Sequence, residues 1–200
     1  MIPPFEHATL PESGTPSVMI GPIGVGFRRV NERIRAAVQS LEPTRHTERR
    51  ADGGWSALEI LEHLTLALDG YLHFLRAFHP TAPQGSRSEH VWTPSFFGGI
   101  LARSQTMRLP MPAPKSIRPG PAPRPDVLHA LIARHDEIVA LMDRLKHDDW
   151  RRLKFTSPFA FFVRPNFGDA CVITMRHAER HTAQLERLVR ELSGATTQKS

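Results

Sequence analysis

The sequence predicts an all-α fold, a four-helix bundle, from three observations. Four stretches of the 200-residue chain repeat apolar residues at spacings of three and four, the period that gathers them on one face of a helix. No stretch sustains the apolar and polar alternation of a half-buried strand. The one long connection, residues 80–125, is dense in proline and falls between the second and third helices, which argues against plain up-down-up-down wiring.

In chain order, residues 1–20 carry prolines without periodicity and are expected to form an extended or poorly ordered arm. The stretch "GPIGVG" at 21–26 bears only a superficial likeness to a nucleotide loop, since no strand precedes it, and reads as a turn into the first helix. In that helix Phe27, Val30, Ile34, Ala37, Val38 and Leu41 make the apolar stripe, and Glu42-Pro43 ends it. The second helix opens at "GWSALEILEHL", where Ser56 and Glu59 have the spacing of a capping box that satisfies orphan amides of the first turn. From there to Phe78 it is apolar around much of its circumference, as in a helix buried inside a bundle.

Within the connection, "SFFGGILARSQTM" has the makings of a short helix despite its two glycines. The third main helix follows Asp126, a candidate N-cap, and carries Val127, Leu131, Ile138, Met142 and Leu145 along one side. The stretch "RRLKFTSPFAFFVRPNF" is mixed aromatic and basic and reads as irregular. A fourth helix begins near Asp169. At about 100° per residue, Ala170, Ile173, Thr174, His177, His181, Gln184, Leu185 and Leu188 share its inner face. Residues 21–194 are thus expected to form one domain, with 195–200 a flexible tail.

Composition narrows the class. With 40% apolar and 23% charged residues, the chain can bury an ordinary globular core. Cys171 is the single cysteine, so no intramolecular disulfide can form. It lies roughly 120° away from the histidine face and reads as core rather than as a nucleophile. No basic leader precedes an apolar run, and no stretch is long and apolar enough for a membrane span, so a cytoplasmic protein without a membrane partner is expected. The net charge of +6 comes from Lys and Arg mostly interspersed with acids, so nucleic acid is not the expected partner. From His90 to Pro125 there is no acidic residue, while Arg103, Arg108, Lys115 and Arg118 supply positive charge. This loop either attracts an anionic substrate or is solvated surface.

The chemistry-bearing feature is "RHAERHTAQ" at 176–184, which sets His177 and His181 one helical turn apart. Two inward imidazoles on one face can meet a single cation, although a chain with 11 histidines can also produce such a pair by chance. A catalytic metal commonly takes three protein ligands and keeps a position for water or substrate. His63 is the best third ligand, because an imidazole among Leu61, Leu64 and Leu68 needs a partner if buried. Glu59, one turn before His63, could orient a ligand or accept a proton, but its capping role is the favoured explanation. Gln184 could hold a ligand imidazole from behind, or be a polar group at the bundle edge.

These two blocks, "GWSALEILEHL" and "HAERHTAQLERL", resemble the DinB-like superfamily, whose members pair W-S-x-x-[ED]-[IVL]-[LV]-x-H-L in the second helix with H-x-x-x-H-x-x-Q in the fourth. The resemblance spans roughly residues 23–193 and is specific in the two blocks. It implies an up-down-down-up four-helix bundle, a homodimer, and a divalent ion, nickel or zinc with iron or manganese as alternatives, on His63, His177 and His181. It further implies a metal-dependent hydrolase, or else a thiol S-transferase using bacillithiol, mycothiol or glutathione. A non-catalytic metal-binding stress-response module is the competing class. An open coordination sphere at a cavity marks catalysis and a closed four-ligand site marks scaffolding. A ferritin-like di-iron site is disfavoured because the chain has no Glu-x-x-His, and no H-E-x-x-H, G-x-S-x-G or P-loop is present.

Overall fold

The structure, a computed structural model, describes residues 9–50, 52–83, 90–107 and 112–197. Among them the chain is all-helical, with five α-helices and three isolated β-bridges but no strand. These are α1 (Pro16–Gln39), α2 (Ala57–Leu75), α3 (Phe96–Thr106), α4 (Val127–Arg144) and α5 (Phe167–Thr197). Helix α1 packs on α4 and α5, and α2 packs on the same two, while α3 lies against α5. One continuous apolar core joins them, with Phe27, Ile34, Leu61, Leu72, Ile138, Met142 and Leu185 all buried.

Helix α1 starts earlier than its sequence suggests. Pro16 occupies the first turn, where its missing N–H costs nothing. Met19, Ile23, Phe27, Val30 and Ile34 then form one unbroken buried stripe. Residues 16–20 of the expected arm are therefore helix, 21–26 are helix rather than turn, and residues 1–8 lie outside the described residues. Glycines and Pro22 there look like breakers, but packing outweighs propensity. A Cβ on Gly26 would lie 2.8 Å from the sulfur of Met175, so this glycine lets α1 approach α5 closely.

Helix α2 begins on a complete capping box: Ser56 Oγ accepts from Glu59 N, and the Glu59 carboxylate accepts from Ser56 N. Asp126 precedes α4, yet its side chain makes no capping bond. Helix α5 opens two residues before Asp169 on a similar device. Asp169 N donates to Asn166 Oδ1 at 2.9 Å, and Asn166 N donates to Asp169 Oδ2 at 3.0 Å. The same carboxylate accepts from Ser95 N and Ser95 Oγ at the start of α3, tying the two helices together. α5 continues to Thr197, three residues into the expected tail, and residues 198–200 lie outside the described residues.

Ion pairs clamp the long helices. Arg33 of α1 grips Glu186 of α5 through two bonds of 2.6 and 2.7 Å. Arg76 and Arg134 join α2 to α4 through Glu137 and Asp69. The α2-to-α4 connection is not a bare loop. Trp92 is buried, exchanges backbone bonds with Gly14 and donates its indole N–H to Asn166, so this segment is stitched to the start of α5.

Candidate metal centre

The capping box fixes where α2 starts, and seven residues later the helix delivers His63 to the interior, 3% exposed. Helix α5 delivers His177 and His181 from consecutive turns of one face. The three rings meet: their centroids are 5.1, 4.7 and 4.6 Å apart pairwise. One nitrogen from each lies within 4.8 Å of the others, a grouping that could hold a metal ion. No fourth His, Cys, Asp or Glu joins them among the described residues.

Hydrogen bonds set which nitrogen faces the centre. His63 Nδ1 lies 2.7 Å from the backbone oxygen of Ile117. A carbonyl can only accept, so Nδ1 carries the proton and the Nε2 lone pair is presented to the centre. That Nε2 is 3.2 Å from His177 Nε2. His181 Nδ1 meets Gln184 Oε1 at 2.7 Å, which directs its Nε2 in the same way. Oriented neutral imidazoles of this kind are the usual outer arrangement of a histidine-held metal.

Electrostatics agree with neutral rings. Burial is the main force holding His63 below the ordinary histidine value, with the Ile117 carbonyl opposing it. Burial, then repulsion from His181, His63 and Arg180, pushes His177 well down. Burial, then the repulsion that a protonated His63 would exert, push His181 down to about 3. Only unprotonated imidazoles bind a cation, so the cluster is ready for one at neutral pH.

The cluster opens onto a cavity of about 680 Å³. Trp55, Ala67 and Tyr71 line it from the α2 side and Ile173 from α5. Leu101 and Gln105 of α3 form another wall with Pro112, Ala113, Pro114 and Ile117, and Phe159 completes it. Trp55 packs on His63 at 4.7 Å between ring centroids. Gly53, at φ +78°, turns the chain into this rim, a conformation that disfavours any side chain.

The other residues singled out in the sequence sit elsewhere, apart from Gln184. The Glu59 carboxylate is engaged by Arg49 and by Ser56 N. Burial works to raise its pKa, but those bonds outweigh it and hold the group below the usual range. Glu59 does not line the cavity. Arg103, Lys115 and Arg118 are exposed and also lie off the cavity wall, Arg118 donating to the Ala113 carbonyl at 2.9 Å. Arg108 lies outside the described residues. Sequence reasoning passed over Arg180, which lines the cavity and donates to the Ser104 carbonyl at 3.1 Å. Its signal was available: it follows His177 by three positions, so the two are helix-surface neighbours. Cys171 is fully buried, and burial pushes its thiol pKa up, as expected of a core residue.

Helical packing and an inward three-histidine cluster define an all-α protein with a site compatible with metal binding. The chain belongs to the DinB superfamily, whose family model matches residues 27–185. No curated protein and no solved structure matches it. Among the described residues no helix is long and apolar enough to cross a membrane.

Proposed function

We propose that this chain is a divalent-metal enzyme, a hydrolase in the first reading, with His63, His177 and His181 as ligands. The observation that carries the reading is a three-imidazole set opening onto a large cavity, with no fourth protein ligand among the described residues. Three neutral ligands leave the ion's charge undiminished and positions for small molecules. A bound divalent ion supplies Lewis acidity that eases deprotonation of a water or thiol. Gln184 and the Ile117 carbonyl hold His181 and His63 in register, while Trp55 packs against His63 and limits its movement. Nickel or zinc suits this borderline nitrogen set, with iron or manganese as alternatives. The up-down-down-up bundle and a cytoplasmic homodimer belong to the same reading. Exposed Phe96, Phe97 and Ile100 on α3 support a partner surface.

One observation favours thiol transfer as the second reading. No carboxylate lines the cavity among the described residues, so a general base for water is missing while a thiolate, once formed, needs none. Metal-stripped and reloaded protein assayed against ester, amide and phosphoester panels, and against small thiols with an electrophile, tests both. Turnover that returns on reloading and is absent in His177→Ala supports the enzyme. Turnover in neither assay with fully loaded protein favours the non-catalytic module.

A further inference from the structure

We propose that the cavity takes an organic anion with an apolar or aromatic body, and that Arg180 binds its oxyanion beside the histidine cluster. Among the described residues Arg180 is the only charged side chain that lines the cavity. Much of the remaining wall is apolar, with Trp55, Ala67, Leu101, Ile117, Phe159 and Ile173 facing the space. Charge of one sign set in low-dielectric walls focuses its field on the opening and selects the opposite charge. A metal ion on the neutral triad would reinforce that selection.

Arg180 is half-buried and anchored, its Nη1 donating to the Ser104 carbonyl across the α3–α5 contact. A guanidinium carries five N–H donors in a planar fork that matches a carboxylate or phosphate in two-point contact. Because Arg180 precedes His181 and follows His177 by one helical turn, an oxyanion held there lies next to the cluster. The apolar body of the same molecule then fills the space toward Trp55 and Phe159. The inference rests on the cavity being the substrate site proposed above, and is indifferent to which nucleophile acts there.

The test compares 2-naphthylacetate, its neutral amide and 2-naphthylmethyl phosphate by calorimetry on metal-free protein. This removes direct binding of the anion to an ion. Wild type is expected to bind an anion roughly tenfold or more tighter than the amide, as charge-assisted bonds are worth. The better of the two anions separates carboxylate from phosphate as the natural group. Arg180→Gln is expected to abolish the anion preference while holding amide affinity within about twofold, which shows an intact cavity, and Arg180→Lys to keep part of it. A wild-type ratio near one, an unchanged ratio in Arg180→Gln, or failure of all three probes to bind overturns the proposal. The wild-type ratio decides the matter even if Arg180→Gln does not fold. Metal content measured on the same preparations reports separately on the histidine site.

Discussion

His135 shows what a buried imidazole does without a charged partner. Its Nδ1 bonds Asn31 at 2.6 Å between α4 and α1, its Nε2 has no hydrogen-bond partner among the described residues, and burial drives its pKa down to about 3. The unfolded chain binds this proton near pH 6.5, so between there and about 3 it holds more protons than the folded state. Stability is therefore full above pH 6.5 and falls as the solution is acidified, by up to about 1.4 kcal/mol per pH unit for each such ring. Urea midpoints at pH 7, 5.5 and 4 should fall in that order, with a shallower slope in His135→Leu. An unchanged midpoint would contradict the burial argument. Gln184 offers a sharper probe of the centre. Because it orients His181 without itself lining up as a ligand, Gln184→Ala should weaken metal affinity roughly 10- to 100-fold while leaving the far-ultraviolet spectrum unchanged, as titration with a competing chelator would show.

Helix α3 and the segment after it turn a solvent-facing cluster into a walled site. The segment supplies the Ile117 carbonyl that fixes His63, and α3 supplies Leu101 and Gln105 to the cavity. The hinge of this arrangement is Gly98, where a Cβ would collide with the Asp169 carboxylate that binds Ser95. Gly98→Ala should thus destabilise by about 1–3 kcal/mol, and protease cleavage within residues 90–107 should quicken. A neutral effect on both would show that α3 does not depend on that close approach. The sequence marked "SFFGGILARSQTM" as a short helix, yet nothing in its composition tells that Ser95 reaches Asp169. Contacts across 74 residues of chain are set by packing, not by local pattern. The same limit explains α1: Gly21, Gly24 and Pro22 are breakers locally, and only the Met19 and Ile23 stripe against the core makes them helical.

The all-helical frame was legible because apolar period and capping box agree at α2, while the apolar period alone marks α4 and α5. The three histidines were legible for the same reason: once His63 is placed two turns past Ser56 and His177 and His181 on one face, two packed helices bring them together. The cavity's charge was passed over, since the basic run holding Arg103, Lys115 and Arg118 is conspicuous in sequence yet exposed, while Arg180 is marked only by its helical spacing from His177. The central claim is that three imidazoles from α2 and α5 share one ion. Elemental analysis of tag-free protein, joined to X-ray absorption at the edge of whatever metal is found, tests it most directly. The account predicts about one divalent ion per chain, with imidazole nitrogen scattering near ~2.0–2.1 Å as for a zinc site, and loss of that ion in His63→Ala. Metal-free wild type that takes up no added ion, or equal metal content in wild type and His63→Ala, would contradict it.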